Sequence, residues 1–191
     1  MSPAPGGKLV VISAPSGAGK STIARAIMAA HPAMGFSVSA TTRAPRAGEQ
    51  DGREYYFLSR TEFDRRVEAG EFVEWEEIYG DRYGTLKSEV DRKLAAGHQL
   101  LFDIDVKGGL SIRAAYPGAL LVFIRPPSMA TLEERLRGRK TEDPGTLARR
   151  LERVPLEMAL GAQFDHQVVN DDLPRAIAEV DSIVSTYLQH T

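Results

Sequence analysis

The chain of 191 residues contains no cysteine, which excludes disulfide bridges, thiolate metal centres and a cysteine nucleophile. Long apolar runs are missing too. "ALLVFI", Ala119 to Ile124, falls far short of a membrane span, and the leading "MSPAPGGK" carries no signal-peptide segment. A cytoplasmic location without a membrane partner is the expectation. Nor is there a charge excess: 24 Lys and Arg stand against 26 Asp and Glu, a formal net charge of -2. That balance draws neither nucleic acid nor anionic lipid, so any polyanion site must be a local cluster of cations. Internal repeats and low-complexity tracts are absent. What is present is an ordinary composition, 42% hydrophobic and 26% charged, in a length that suits one domain with a proper core.

Apolar residues run together, without alternating, in "KLVVIS" (Lys8 to Ser13), "QLLFDI" (Gln99 to Ile104), "ALLVFI" and "HQVVN" (His166 to Asn170). Such runs predict strands buried on both faces, and "GFSVSA" (Gly35 to Ala40) reads as a fifth. Helical patterns lie between them at Thr22 to Ala30, Ser88 to Ala96, Gly109 to Ala115, Met129 to Arg137 and Leu173 to Leu188. The alternation predicts an α/β protein with a central parallel sheet flanked by helices. Two regions exceed that plan. The stretch from Thr41 to Lys87 is far longer than a crossover needs and reads as a small mixed insertion. Around "RLRGRKTEDPG", Arg135 to Gly145, an Arg-rich helix pair is expected, joined by a mobile connection and kinked at Pro155.

"SAPSGAGKST", Ser13 to Thr22, comes close to the phosphate-binding pattern G-x-x-x-x-G-K-[ST], with Ala14 where the first glycine belongs. An apolar strand leads into it and an amphipathic helix, with Ile23 and Ile27 on one face, leads out. Gly17 and Gly19 let the backbone approach phosphates, so that N–H groups at a helix N-terminus meet the anion. Lys20 would reach the outer phosphates and the Ser21 hydroxyl would ligate Mg²⁺. Ala14 sits at the strand exit, where alanine is sterically acceptable. The other reading is a Gly-rich turn with a structural lysine.

"FDID" puts Asp103 and Asp105 at the carboxyl end of a predicted strand, where open α/β sheets bind ligands. They suit Mg²⁺, its waters or a second substrate, or else Asp105 is a helix cap. The insertion gathers Arg43 and Arg46, able to clamp a phosphate, with Tyr55 and Tyr83 as hydroxyl donors. Solvated arginines and core tyrosines account for the same residues. Arg135 and Arg139 share a helix face, and Arg149, Arg150 and Arg153 form a second basic cluster, a pattern that solvated helices also show.

"SAPSGAGKST", "SVSATTRAPRAGEQDGREYYF", "FVEW…YGDRYGT", "FDIDVKGG", "RLRGR…RRL" and "VVNDD" together resemble the guanylate kinase family, in its order and spacing across nearly the whole chain. The resemblance implies a P-loop kinase fold with a core (about 1–40, 88–125 and 160–191), a mixed α+β GMP-binding insertion (about 41–87) and a helical lid (about 126–159). It implies an ATP:GMP phosphotransferase with Mg²⁺ as cofactor and ATP and GMP as its small-molecule partners. ATP would lie on Ala14, Pro15, Ser16, Gly17, Ala18, Gly19, Lys20, Ser21 and Thr22, with Arg135, Asn170 and Asp171 on its far side. Ser39, Glu74 and Thr85 would read guanine, and Arg43, Arg46, Tyr55 and Tyr83 would hold the GMP phosphate. Asp103 and Asp105 would lie close to the nucleotide, with Ser21 and Asp103 toward the metal, directly or through water. Lys20, Arg46, Arg139 and Arg150 would be the catalytic cations.

The chemistry of Glu74 stands on its own as well. Guanine presents N1–H and an exocyclic amine as adjacent donors, which one carboxylate accepts together. Adenine would leave that carboxylate and the Ser39 and Thr85 hydroxyls unpaired. The four histidines fall in none of the phosphate-contacting positions, which suits an acceptor that is already an anion. Two other functions remain open on sequence: a guanylate-kinase-like interaction module without turnover, and a sugar-phosphate kinase of the same fold. Against the family's pattern, Lys107 stands where glutamine is usual and Arg82 replaces an aromatic or apolar residue.

Overall fold

The computed structural model describes residues 6–78, 80–138 and 144–190. In chain order the elements are β1 (Leu9–Ser13), α1 (Lys20–Ala30), β2 (Met34–Phe36), β3 (Ala40–Thr41), β4 (Tyr56–Phe57), α2 (Arg60–Glu68), β5 (Phe72–Ile78) and β6 (Asp81–Leu86). There follow α3 (Lys87–Ala95), β7 (Gln99–Asp103), α4 (Val106–Ala115), β8 (Leu120–Arg125), α5 (Met129–Arg137), α6 (Pro144–Gly161), β9 (His166–Val169) and α7 (Leu173–Gln189).

A five-stranded sheet in the order β2-β7-β1-β8-β9 forms the middle layer, and its pairings are all parallel. The pleat sends alternate residues of β1 to opposite faces, and both faces are covered. Val10 and Ile12 pack with Ile23 and Ile27 of α1 and Val180 and Val184 of α7. Leu9 and Val11 pack with Val90 of α3 and Ile112 of α4. Covered faces explain why these strands read as unbroken apolar runs. The chain leaves β1 toward β2 on one side of the sheet, and leaves β7 toward β8 on the other. The carboxyl ends of β1 and β7 therefore flank a topological switch point, where such sheets open a crevice.

A second sheet, ordered β4-β3-β6-β5, is mixed: β3 pairs parallel with β4 and antiparallel with β6, which pairs antiparallel with β5. Its own cluster is small, with Ala40, Phe63, Phe72 and Leu86 buried and the Phe63 and Phe72 rings stacked at 4.4 Å. Ser59 caps α2, its hydroxyl accepting from Glu62 N at 3.1 Å.

The expected fifth strand, Gly35 to Ala40, is divided. Residues 34–36 join the parallel sheet through β7, whereas Ala40 and Thr41 belong to the mixed sheet. The segment between them carries the chain from one sheet to the other. Pro155 does not end α6, which runs on across it. Among the described residues no helix is long and apolar enough to cross a membrane.

Candidate active site

The turn after β1 wraps the N-terminus of α1. Gly17 and Gly19 have φ values of 90° and 100°, which β-carbon-bearing residues rarely adopt. A Cβ on Gly19 would also collide with the amide nitrogen of Asn170, and one on Gly17 would sit 2.9 Å from Leu136 Cδ2. Ala14, by contrast, is 7% exposed and its methyl joins the core cluster beneath the loop. Alanine at the first position of the pattern therefore fills space that the loop does not need.

Two cavities meet at this loop. The first, of about 360 Å³, is lined by Ala14, Pro15, Ser16, Gly17, Gly19, Lys20, Ser21 and Thr22, with Arg150, Arg153 and Glu157 of α6 on its other side. Ala18 is buried beneath the loop. The second, of about 600 Å³, lies between the two sheets and is lined by Ser39, Arg43, Arg46, Tyr55, Glu74, Tyr83, Asp103 and Asp105. Lys20, Glu76, Ile78 and Asp105 belong to both walls. Residues scattered over more than half of the chain thus face two adjoining spaces.

Strand alternation decides which insertion residues face inward. Glu74 is paired with Thr85 and Glu76 with Tyr83 across β5 and β6, so these four share one face. The Thr85 hydroxyl donates to Glu74 Oε1 at 2.6 Å. Burial pushes the Glu74 carboxyl up from its ordinary value, and the charges of Asp105 and Glu76 push the same way. Trp75, Glu77 and Arg82 take the opposite face, where Arg82 pairs with Asp64 and Glu77 and its guanidinium lies 5.5 Å from the Trp75 ring centroid. The Arg82 departure therefore points away from the second cavity. Lys107 is exposed and, with Glu74, Glu76 and Asp105, lines a further recess of about 420 Å³ behind them.

At the other end of the second cavity, Arg43 is held by Glu49 in a bidentate pair at 2.9 and 3.0 Å, with its guanidinium 5.3 Å from the Tyr55 ring centroid. The pair raises Arg43 further and holds the Glu49 carboxyl below the usual carboxylate range. Glu49 also accepts from the Arg46 backbone N–H at 2.7 Å, leaving the exposed Arg46 side chain projecting over the cavity. Tyr55 and Tyr83 meet edge to face at 6.0 Å. Glu49 was not singled out in the sequence. Its signal is only a spacing, since it closes the tight Arg46–Glu49 turn.

Lys20 Nζ lies 2.8 Å from Asp103 Oδ1, which joins the loop to the end of β7 across the switch point. That oxygen is buried and receives no directional hydrogen bond. Asp105 does cap α4, accepting from Gly108 N at 2.7 Å, yet it also faces both cavities with its second oxygen. Among the described residues no group of three or more His, Cys, Asp or Glu could hold a metal by itself. The Ser21 hydroxyl and the Asp103 carboxylate, whose Oδ1 faces Lys20, are nevertheless hard oxygens of the kind that suits Mg²⁺, which typically takes one or two protein oxygens and completes its shell with phosphates and water.

The remaining sequence candidates divide. Arg150 reaches the loop, donating from Nη1 to Ser16 Oγ at 3.0 Å. Arg135 donates to the Asn170 carbonyl at 3.0 Å, and the Asn170 amide donates to Ala18 O at 2.8 Å, which ties α5 and the end of β9 to the loop. Asp171 is not brought to either cavity; it pairs with Arg175 in the first turn of α7. Arg139 lies outside the described residues. Glu76 and Glu157 were missed by sequence reasoning. Burial pushes both carboxyls up, and Asp105 adds to the effect on each. The signal for Glu76 was its place two residues beyond Glu74, on the same strand face.

The family model for guanylate kinase matches residues 6–187. The guanylate kinase of Symbiobacterium thermophilum is 48% identical over 180 residues, covering 94% of this chain and 85% of that protein. That of Anaeromyxobacter dehalogenans is 50% identical, covering 93% and 80%. Among solved structures, guanylate kinase from Anaplasma phagocytophilum superposes with a TM-score of 0.72 at 30% identity, covering 98% of this chain and 89% of that one. The SH3-kinase fragment of tight junction protein 3 shares the fold alone, at 10% identity and a TM-score of 0.52. With its phosphate loop, mixed sheet and matched length, the chain belongs to the guanylate kinase family.

Proposed function

We propose that the protein transfers the γ-phosphoryl group of ATP to the phosphate of GMP, giving ADP and GDP. The observation that carries this reading is the second cavity. It has a carboxylate end, Asp105 and Glu74, the latter held from behind by the buried Thr85 hydroxyl, and a cationic end, Arg43 and Arg46 with Tyr55 and Tyr83. It opens onto the phosphate loop at Lys20. One end matches the paired donors of guanine and the other a phosphate dianion.

In this reading the loop amides and Lys20 hold the donor phosphates. Ser21 and Asp103 would hold Mg²⁺, which would supply positive charge to offset that of the donor phosphates. An oxygen of the GMP phosphate forms the new bond to the γ-phosphorus, while the bond to the β,γ-bridging oxygen breaks and its electron pair leaves with ADP. The acceptor is already an anion, so no proton has to be removed first. Catalysis then rests on positioning and on cations placed where charge develops. Lys20, Arg46 and Arg150 take that role, and Arg139 is assigned to it by the motif in which it stands. With α6 over the phosphate loop, water is excluded there as a competing acceptor.

The experiment is ADP formation by purified protein with Mg²⁺ and ATP, offering GMP, dGMP, AMP and ribose 1,5-bisphosphate in parallel. Rapid turnover with GMP, little with AMP and none without acceptor is the expected result. Turnover only with the sugar phosphate, or GMP binding without any turnover, overturns it.

A further inference from the structure

Helix α6 is tied to two other parts of the molecule by a single guanidinium. Arg153 Nη2 lies 3.3 Å from Glu76 Oε1 on β5 and 3.7 Å from Asp105 Oδ2 at the start of α4. Its Nε lies 3.7 Å from Glu157 Oε1, one turn further along α6. The mixed sheet, the end of β7 and the helix over the phosphate loop therefore meet at one side chain. Glu76 and Asp105 both belong to the wall shared by the two cavities. Arg153 brings one cation within reach of both carboxylates. Asp105 Oδ1 is committed to Gly108 N, so Arg153 approaches through the other oxygen. Removal of α6 from this place would leave the two carboxylates facing each other without their cation.

We propose that Arg153 is a positioning residue that couples the two cavities. When α6 is seated, its guanidinium holds Glu76 and Asp105 in the wall of the acceptor cavity, and an occupied acceptor cavity favours the seated helix in return. Because such coupling is reciprocal, a ligand on the phosphate loop tightens the acceptor nucleotide, and the acceptor tightens the donor by the same factor. The inference rests on the reading that the acceptor cavity takes GMP. It adds an account of how the donor side is informed that the acceptor is in place.

The test is calorimetric titration of GMP with and without saturating non-hydrolysable imido-ATP and Mg²⁺, on the wild type, Arg153→Ala, Glu76→Gln and the double variant. Trp75, the only tryptophan and the neighbour of Glu76, provides a second readout by fluorescence. In the wild type the ATP analogue is expected to tighten GMP by about tenfold, within the usual range for coupled sites. Either single variant brings that ratio close to one while GMP alone still binds, and the double variant loses nothing more. A merely structural contact would lower Tm without changing the ratio. Undiminished coupling in Arg153→Ala, or none in a wild type that binds GMP, overturns the inference and leaves the proposed function standing. Failure of the wild type to bind GMP at all overturns the proposed function itself.

Discussion

The two sheets are built on different terms. In the parallel sheet, β1 is buried along its whole length and β8 is buried except at Arg125. In the mixed sheet, β5 buries only Phe72 fully, and the cluster beneath it is a handful of residues around Phe63. The helix packed on it, α2, carries surface pairs instead: Arg60 reaches Glu77 of β5 at 3.0 Å, and within the helix Arg65–Glu62 stands at 2.9 Å and Arg66–Glu62 at 2.7 Å. Exposed pairs of this kind contribute little, because water screens them and ordering long side chains has an entropic cost. Apolar burial holds the phosphate loop rigid, whereas the acceptor side rests on a small core. Regions with few buried contacts open at lower free energy, which suits the half of a site that has to admit and release a nucleotide.

The largest effect is expected from breaking the point where the halves meet. Lys20→Ala is expected to lower turnover at least about a hundredfold, because it removes charge stabilisation from the transferred group. Steady-state kinetics check this, and near-normal turnover would remove Lys20 from the proposed mechanism. Next comes the mixed sheet's core. Phe63 has no exposed surface, and Phe63→Ala is expected to cost about 3–5 kcal/mol. Hydrogen exchange should locate that loss: amides of β5 and β6 lose protection while those of β1 and β8 keep theirs. Uniform loss across both sheets would mean that they unfold as one unit.

Glu74→Gln sharpens the comparison at one residue, since function and stability should move in opposite directions. GMP binding is expected to weaken about tenfold or more with ATP binding spared, because an amide cannot accept both guanine donors. Burial raises the Glu74 carboxyl above its unfolded value, so its contribution to stability is fully present at low pH and lost as pH rises through the folded-state value. At neutral pH the uncharged glutamine avoids that penalty, and Tm is expected to rise. For the wild type, GMP affinity should fall on acidification while the medium is still above the ordinary glutamate value of 4.5. Equal loss of ATP and GMP binding in the variant would instead indicate general disruption.

The smallest effect belongs to the surface of α2, the helix that packs on the mixed sheet. Arg65 and Arg66 hold the Glu62 carboxyl at about 2, down from 4.5. Its contribution is therefore present above pH 4.5 and fades as pH falls toward 2. Glu62→Gln is expected to shift Tm only slightly at neutral pH, and less still at high salt. A large, salt-independent loss would mean that the surface pairs carry more of the mixed sheet than its core does.

Legibility in the sequence followed the same division. Strands covered on both faces announced themselves as apolar runs, and the loop after β1 was readable because its chemistry demands glycine at fixed places. The segment from Gly35 to Ala40 was misread because its residues serve two sheets: Ser37 N still bonds Leu101 O in one, while the Ser39 carbonyl already accepts from Tyr56 N in the other. Strands of two residues, such as β3 and β4, show no period to detect. Glu49, Glu76 and Glu157 were missed for a related reason, since a glutamate among exposed charges looks like every other until its partner is known.

By itself the sequence determined the parallel core, the phosphate loop and the kinds of side chain available for two nucleotides, because periodicity and glycine placement are local properties. Only the tertiary structure decided which charges face one another. Strand register turned Glu74 and Glu76 inward and Arg82 outward, the parallel pairing of β1 with β7 brought Lys20 to Asp103, and helix packing set Arg153 between Glu76 and Asp105. Those pairings join residues far apart in the chain, and electrostatic energy depends on distance in space, which no local pattern encodes.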